Sequence, residues 1–126
     1  MTGDTLLHRQ VSPSWVQQGR VTSQAFRPTP KDEKLLSVYN GDMITPRSSW
    51  DHFTGTLRRL SAGVMSVTVG ECTHQNLRTA SDPKPFPEHA VIDFTGFAEN
   101  EIKKKAKHLR AAAEHRGWQY QAEGIS

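Results

Sequence analysis

The stretch HAVIDFTGFAENEIKKKAKHLRAAAEHRG, residues 89–117, decides the fold class because it joins one strand directly to one helix. Residues 90–92 are apolar without interruption, which is typical of a strand in the middle of a sheet. From residue 98 to residue 116 the apolar side chains recur at helical spacing and form one narrow stripe. Acidic residues lie in the first turn and basic residues in the last, and Gly117 supplies a stop. A domain that combines a sheet with amphipathic helices is predicted.

Other segments show the alternation of apolar and polar residues that is typical of strands. They are residues 5–11, 20–26, 35–39 and 63–69, and the last of these, GVMSVTV, has the strongest pattern. A first helix is predicted after Thr45, which suits the N-cap, and Pro46 suits the first helical position. Residues 73–87 hold three prolines and are predicted to form a loop. We therefore expect an α+β fold with a mixed or mostly antiparallel sheet of about five strands and two helices packed on one face.

The length of 126 residues fits one domain spanning residues 1–126, with ends that fray at about residues 1–4 and 121–126. The chain contains a single cysteine, Cys72, so an intramolecular disulfide is impossible. It shows no secretory leader and no uninterrupted apolar run that could cross a bilayer. These features predict a cytoplasmic protein without membrane association.

The chain is mildly basic, with a formal net charge of +3 and a pI of about 9.2. On the predicted second helix Lys103, Lys107 and Arg110 recur at positions that share one face, opposite the apolar stripe. A second group of basic residues lies in and after the segment 20–26, and consists of Arg20, Arg27 and Lys31. Such groups favour a polyanion, either nucleic acid or an acidic protein, as a partner. An ordinary solvated helix face is the alternative.

Motifs of several well-known enzyme classes are absent from the sequence. It contains no glycine-rich phosphate loop, dinucleotide fingerprint, nucleophile elbow or paired-histidine zinc helix. We expect no metal site, and the residues leave the cofactor unknown. Cys72 follows Glu71, whose charge opposes thiolate formation, so a structural role is expected for this cysteine.

The best candidate for acid–base chemistry is His89, at the start of the predicted fifth strand and beside the proline-rich loop. Asp93 shares its face of the strand and Glu88 precedes it, so either carboxylate could orient or charge the imidazole. Arg9, in the middle of the first strand, could hold a phosphate or carboxylate. These four residues are the candidate catalytic group. Ordinary ion pairs and polar strand ends are the alternative.

One family resemblance rests on Leu6-Leu7-His8-Arg9 followed by the strand that contains Thr22-Ser23. An arginine on a first strand and a Thr-Ser segment on a later one resemble the pattern of ADP-ribosyltransferases. The resemblance implies binding of a nicotinamide dinucleotide and a catalytic glutamate on a later strand. Glu71 and Glu88 are the residues that could take that place.

Two functions follow as hypotheses. The first is a small intracellular interaction module that binds a protein or a polyanion, as an accessory, immunity or antitoxin-type protein would. The second is a compact enzyme that acts on a phosphate-bearing or nucleotide substrate, with His89 and Arg9 in its site. A deep cleft between the first and fifth predicted strands favours the enzyme, and a flat charged face favours the module. The sequence does not decide between them, and it leaves the oligomeric state open.

Overall fold

A six-stranded antiparallel sheet forms the centre of the protein in a computed structural model that describes residues 1–123. The strands are β1 (Leu6–Val11), β4 (Leu35–Asn40), β5 (Gly63–Thr68), β6 (Arg78–Ser81), β7 (His89–Asp93) and β8 (Tyr120–Gln121), and their order in the sheet is β6-β7-β4-β1-β5-β8. A separate two-stranded hairpin consists of β2 (Val16–Gln17) and β3 (Arg20–Val21). The α+β fold class with a mostly antiparallel sheet is confirmed.

The helices follow the capping chemistry of the sequence. Their bounds are α1 (Pro46–Asp51), α2 (Val69–His74) and α3 (Glu99–Arg116). Thr45 caps α1 as predicted, with its side chain accepting a hydrogen bond from the Ser48 amide. The chain after α1 widens into a π-helical turn, His52–Thr56, and short 3₁₀ turns lie at Pro13–Trp15, Ser23–Phe26 and Pro30–Asp32.

One face of the sheet carries the hydrophobic core. Helices α2 and α3 pack on this face, so two helices share one face of the sheet. They are not the predicted pair, because α2 was not predicted and the predicted first helix, α1, lies on the opposite face. The apolar stripe of α3 lies where the spacing places it, with Ile102, Ala106, Leu109 and Ala113 all buried. They meet the alternate inward side chains of the central strands, which include Leu7, Val11, Leu36, Val38, Met65, Val67, Ala90 and Ile92.

The opposite face of the sheet is polar and is partly covered by α1. A row of directly paired residues crosses four strands on this face, and it consists of Ser66, His8, Tyr39 and His89. Gln10 lies next to this row and bonds to Ser49 on α1 and to Ser61. A sheet with one apolar and one polar face leaves the polar face available for a site.

Two segments differ from the sequence-based expectation. Residues 20–26 do not form one strand, because β3 ends at Val21 and the 3₁₀ turn Ser23–Phe26 buries Ala25 and Phe26 in the core against α3. Residues 73–87 are not all loop, since they contain the end of α2 and the edge strand β6. A capping box between Thr68 and Glu71 starts α2, and this signal lies before the segment 73–87 that is predicted to be a loop.

The described residues contain no helix with the length and apolar character needed to cross a membrane. At the carboxyl end, the Ala122 amide bonds to the Ala62 carbonyl. Part of the predicted frayed end, residues 124–126, lies outside the described residues. The frayed ends stay a prediction.

Candidate functional site

The candidate site begins where β1 and β4 separate. Within the described residues these strands pair only at Leu7–Asn40 and His8–Tyr39, whereas β1 pairs with β5 along its whole length. The alternation of an antiparallel ladder would make Gln10 and Ser37 the next hydrogen-bonded pair. That pair is not formed, so the sheet opens beyond His8.

Arg9 bridges this opening with its guanidinium group. Its Nε donates to the Ala25 carbonyl at 2.7 Å and its Nη1 donates to the Ser37 carbonyl at 2.9 Å. The guanidinium also lies 5.1 Å from the ring centre of Trp15, within range of a cation–π contact. The arginine side chain therefore replaces the backbone bond that Ser37 would otherwise receive from β1.

The cleft around Arg9 has a volume of about 440 Å³. Its walls come from both sides of the sheet opening and include the aromatic side chains of Trp15, Tyr39, Phe53 and Phe86. The polar lining includes Arg9, Gln10, Ser37, Arg59 and His89. A concave site with aromatic walls and a few convergent polar groups is typical of small-molecule binding.

Desolvation lowers the pKa of Arg9 to about 10, although the charge of Asp32 opposes this shift. The group therefore stays positively charged at neutral pH. The Asp32 carboxylate is itself bonded to the amide and hydroxyl of Thr29. Arg9 forms no salt bridge with any residue in the described part of the chain.

Ser37, His89 and Asp82 form a hydrogen-bonded chain along one wall of the cleft. Ser37 Oγ lies 3.0 Å from His89 Nε2, and His89 Nδ1 lies 2.9 Å from the Asp82 carbonyl oxygen. One Asp82 carboxylate oxygen, Oδ2, lies 3.4 Å from the same Nδ1. The tautomer that satisfies these contacts has its proton on Nδ1, which donates to Asp82, while Nε2 accepts from the serine hydroxyl. Ser37 is exposed and His89 is only 8% exposed.

An aromatic group packs beside this chain and fixes the histidine. Phe86 stacks on Tyr39 with ring centres 5.0 Å apart and meets the His89 ring edge-on at 5.2 Å. The Tyr39 hydroxyl bonds to His52 Nδ1 at 2.8 Å. Burial, with a smaller effect of the Glu88 charge, raises the pKa of Tyr39, so the phenol stays neutral.

His8 lines the same cleft but is saturated with internal partners. Its Nδ1 lies 2.7 Å from Ser66 Oγ and its Nε2 lies 3.2 Å from the Ile44 carbonyl oxygen. Desolvation by burial lowers the pKa of His8, and the bond to Ile44 only partly opposes this. His8 is therefore a buried neutral group that shapes the sheet.

The structure brings together two of the four predicted catalytic candidates. Arg9 and His89 both line the cleft and meet at Ser37, one through the backbone oxygen and the other through the hydroxyl. Within the described residues, the cleft lining includes neither Glu88 nor Asp93. Asp93 lies at the far end of β7, where bonds from Thr95 hold its pKa below the ordinary value. The catalytic role of these residues stays a prediction.

The predicted polyanion-binding residues do not form one uncompensated surface. Arg20 makes two hydrogen bonds to the carboxylate of Glu114, and Arg110 bonds to the same carboxylate and to the Val21 carbonyl. The remaining members of the set are exposed or half-buried, and they are Arg27, Lys31, Lys103 and Lys107. Polyanion binding stays a prediction.

The residues of the ADP-ribosyltransferase resemblance are spread over the molecule. Of the described residues that line the cleft, Arg9 is included while Thr22 and Ser23 are not. Glu71 accepts two hydrogen bonds from Arg116, each at 3.0 Å, at the start of α2. The geometry therefore does not bring this arginine, serine and glutamate into one site.

Two further expectations concern cysteine and metal chemistry. Cys72 is fully buried in the core, and burial raises the pKa of its thiol to about 12, with a further contribution from the Glu71 charge. Among residues 1–123 no group of three or more histidine, cysteine or carboxylate side chains is placed to hold a metal ion.

Sequence reasoning missed Ser37 and Asp82, the residues on either side of His89. One signal for Ser37 was present, since this small polar residue interrupts the run LLSVY, residues 35–39. Asp82 gave no signal, because β6 was not predicted and the pairing of β6 with β7 places it beside His89.

Comparisons of the chain with protein-family models, with curated proteins and with solved structures gave no match.

Proposed function

We propose that the protein binds a small organic anion with a planar ring in the cleft between β1 and β4. The anionic group of this ligand is a carboxylate or a phosphate. This develops the second hypothesis from the sequence, in which Arg9 and His89 contribute to a site for an anionic substrate. The cleft is lined by residues of β1 and by His89 of β7, the predicted fifth strand. A cleft between these two strands favours the enzyme hypothesis over the interaction module.

The observation that carries the proposal is the positive charge of Arg9 without a salt-bridge partner. Burying a charge is costly unless it is paired, and proteins usually pair such groups with a carboxylate. Arg9 is instead held by two neutral carbonyl oxygens, and its Nη2 donates no hydrogen bond among the described residues. Asp32 acts on Arg9 only through its charge and makes no salt bridge with it, so an anion bound at Nη2 would supply a direct ion pair through a charge-assisted hydrogen bond.

The aromatic walls support a planar ligand. Trp15 already lies against the guanidinium, and Phe86 is held by contacts with Tyr39 and His89. Rigid aromatic side chains offer flat apolar area at low entropic cost. A ring between these walls, with its anionic group on Arg9, uses both properties of the cleft.

Isothermal titration calorimetry with benzoate, phenyl phosphate and neutral benzamide tests this proposal. We expect saturable binding of the two anions and at least about tenfold weaker binding of benzamide, because one charge-assisted hydrogen bond is lost. Arg9→Met should weaken benzoate binding to the level of benzamide. Arg78→Met is the matched control, since Arg78 is exposed on the edge strand β6 outside the cleft. Equal binding of benzoate and benzamide by the wild-type protein would contradict the proposal.

The interaction module is the second candidate, and we propose the cytoplasm as its compartment. The exposed lysines Lys103 and Lys107 on α3 favour it. Binding to an oligonucleotide should then weaken steeply with salt, because each neutralised phosphate releases a counterion. Replacing both lysines by glutamine should flatten that salt dependence. A titration at low salt that shows no binding would remove this candidate.

A further inference from the structure

The arrangement of Ser37, His89 and Asp82 has the connectivity of an activated nucleophile. Activation of a serine requires a base within hydrogen-bond reach and a third group that fixes the base. Ser37 Oγ is 3.0 Å from His89 Nε2, and the other imidazole nitrogen is fixed by the Asp82 carbonyl at 2.9 Å. The Asp82 carboxylate, at 3.4 Å from Nδ1, is close enough to stabilise a positive charge on the imidazole.

The exposure of Ser37 distinguishes this hydrogen-bonded chain from an ordinary buried polar network. Ser37 is exposed to the cleft while both its strand neighbours, Leu36 and Val38, are buried. His89 is 8% exposed and is held on its other side by Phe86. A reactive hydroxyl that faces a cleft and a base that is shielded from water are the requirements of nucleophilic catalysis.

The opening in the sheet supplies a donor for the oxygen that becomes negative during acyl transfer. Backbone N–H and C=O groups of one residue point to the same neighbouring strand in an antiparallel sheet. The Ser37 carbonyl faces β1, where it accepts from Arg9, so the Ser37 amide faces the same opening. Its expected partner there, Gln10, does not pair with it. A backbone amide next to the nucleophile is a frequent oxyanion donor.

We propose that Ser37 is the nucleophile of an acyl-transfer site and that its substrate is an ester that carries a carboxylate or phosphate group. The inference rests on the proposed function, because Arg9 would hold the anionic group. Arg9 and Ser37 both line the cleft, and Arg9 is bonded to the Ser37 carbonyl, so the anion and the reacting ester would occupy one cleft.

The reaction divides into two balanced halves. Ser37 Oγ forms a bond to the ester carbon as its proton passes to His89 Nε2, and the ester C–O bond then breaks. The leaving alcohol takes the proton from His89, which leaves an acylated serine. Water attacks the acyl carbon and gives its proton to His89, which returns it to Ser37 Oγ as the carboxylic acid departs. One ester and one water give one acid and one alcohol. His89 is catalytic here, and Asp82 is a positioning residue.

The hydrolysis of 4-acetoxybenzoate tests this inference, with its neutral methyl ester as a comparison. We expect release of 4-hydroxybenzoate and, by intact mass spectrometry, transient addition of one acetyl group to Ser37. Ser37→Ala and His89→Gln should each lower the rate at least about 100-fold, the usual contribution of a general base. Both should still bind benzoate. Ser81→Ala, an exposed serine on β6 beside Asp82, is the control that should leave the rate unchanged.

The role of Asp82 has its own readout. Asp82→Asn should lower kcat about tenfold and leave KM unchanged, because the backbone carbonyl continues to orient His89 and only the charge is lost. A purely structural aspartate would lower the stability of the protein without this separation of kcat from KM.

Two other outcomes are informative in different ways. If 4-acetoxybenzoate competes with benzoate for binding but neither acylates Ser37 nor turns over, the nucleophile is refuted and the anion site stands. If the wild-type protein binds neither benzoate nor 4-acetoxybenzoate, the anion site is refuted, and the inference that depends on it is refuted too.

Discussion

Replacing Arg9 by methionine should remove anion binding and leave the protein folded. Methionine lacks the guanidinium, so the variant loses the bonds to the Ala25 and Ser37 carbonyls and the cation–π contact with Trp15. Two charge-assisted hydrogen bonds contribute about 1.5–3 kcal/mol each. Since the cleft is open, water can replace the lost donors, and we take the lower end, about 3 kcal/mol in total.

The burial cost of the charge offsets part of this loss. Desolvation lowers the pKa of Arg9 to about 10, which corresponds to at most about 3 kcal/mol. The side chain is only half-buried, so solvent screening reduces that penalty. The net destabilisation expected for Arg9→Met is therefore between about 0 and 3 kcal/mol.

Urea denaturation followed by far-UV circular dichroism measures this change through the shift of the midpoint at constant slope. A loss above about 4 kcal/mol would match the removal of one partner from a buried ion pair. That result would make Arg9 a structural residue and would refute the reasoning that its charge is held for a ligand. Added benzoate should raise the midpoint of the wild-type protein and leave the variant unchanged.

Three further predictions concern the scaffold. Leu109→Ala should lower the free energy of unfolding by about 2–4 kcal/mol in urea titrations, because Leu109 is 1% exposed, while His108→Ala on the exposed face of α3 should change it by less than about 0.5 kcal/mol. Burial raises the pKa of Glu71, but hydrogen bonds, chiefly from Arg116, outweigh it and leave the folded pKa below the ordinary value. The stabilisation that the Glu71 carboxylate contributes should be complete above about pH 4.3 and be lost as the pH falls through the folded pKa. Glu71→Gln should therefore lower the free energy of unfolding by about 1–2 kcal/mol at pH 7 and make the stability less dependent on pH in the acid range. Cys72, with its pKa raised to about 12 by burial, should resist Ellman's reagent at pH 8 until urea unfolds the protein, and rapid labelling of the native protein would contradict its place in the core.

Periodicity predicted the elements whose pattern depends only on their own residues. The helix α3 was predicted within one residue of its observed start and at its observed end, because its stripe, its charged ends and Gly117 agree. The core strands β5 and β7 were predicted for a similar reason, since apolar runs between turn residues are local signals.

Elements that depend on distant partners were missed. The edge strand β6, with the sequence RTAS, is exposed along most of its length, so it has no apolar pattern and forms only because β7 is there to pair with it. The turn at Ser23–Phe26 alternates like a strand, but Ala25 and Phe26 are drawn into the core by α3. Tertiary packing decides such segments more strongly than local preference.

Only part of the candidate site could be predicted, because the contacts between its residues depend on distant strands. His89 was identified because it begins a predicted strand beside a proline-rich loop, and Arg9 because an arginine in the middle of the first strand could hold an anion. Their common contact with Ser37 depends on β4 lying between β1 and β7, which is a matter of strand order. The carboxylate expected beside His89 was Asp93 on the same strand, whereas the nearest one is Asp82 from the neighbouring strand end.

The most direct test of the anion site is the ¹H–¹⁵N signal of the Arg9 Nε–H group, assigned by its absence from the spectrum of Arg9→Met. We predict that this signal and the indole N–H signal of Trp15 shift together and saturate during a titration with benzoate, and that neither shifts with benzamide. If both signals stay unchanged while benzoate moves only signals from exposed lysines on α3, the cleft between β1 and β4 is not an anion-binding site.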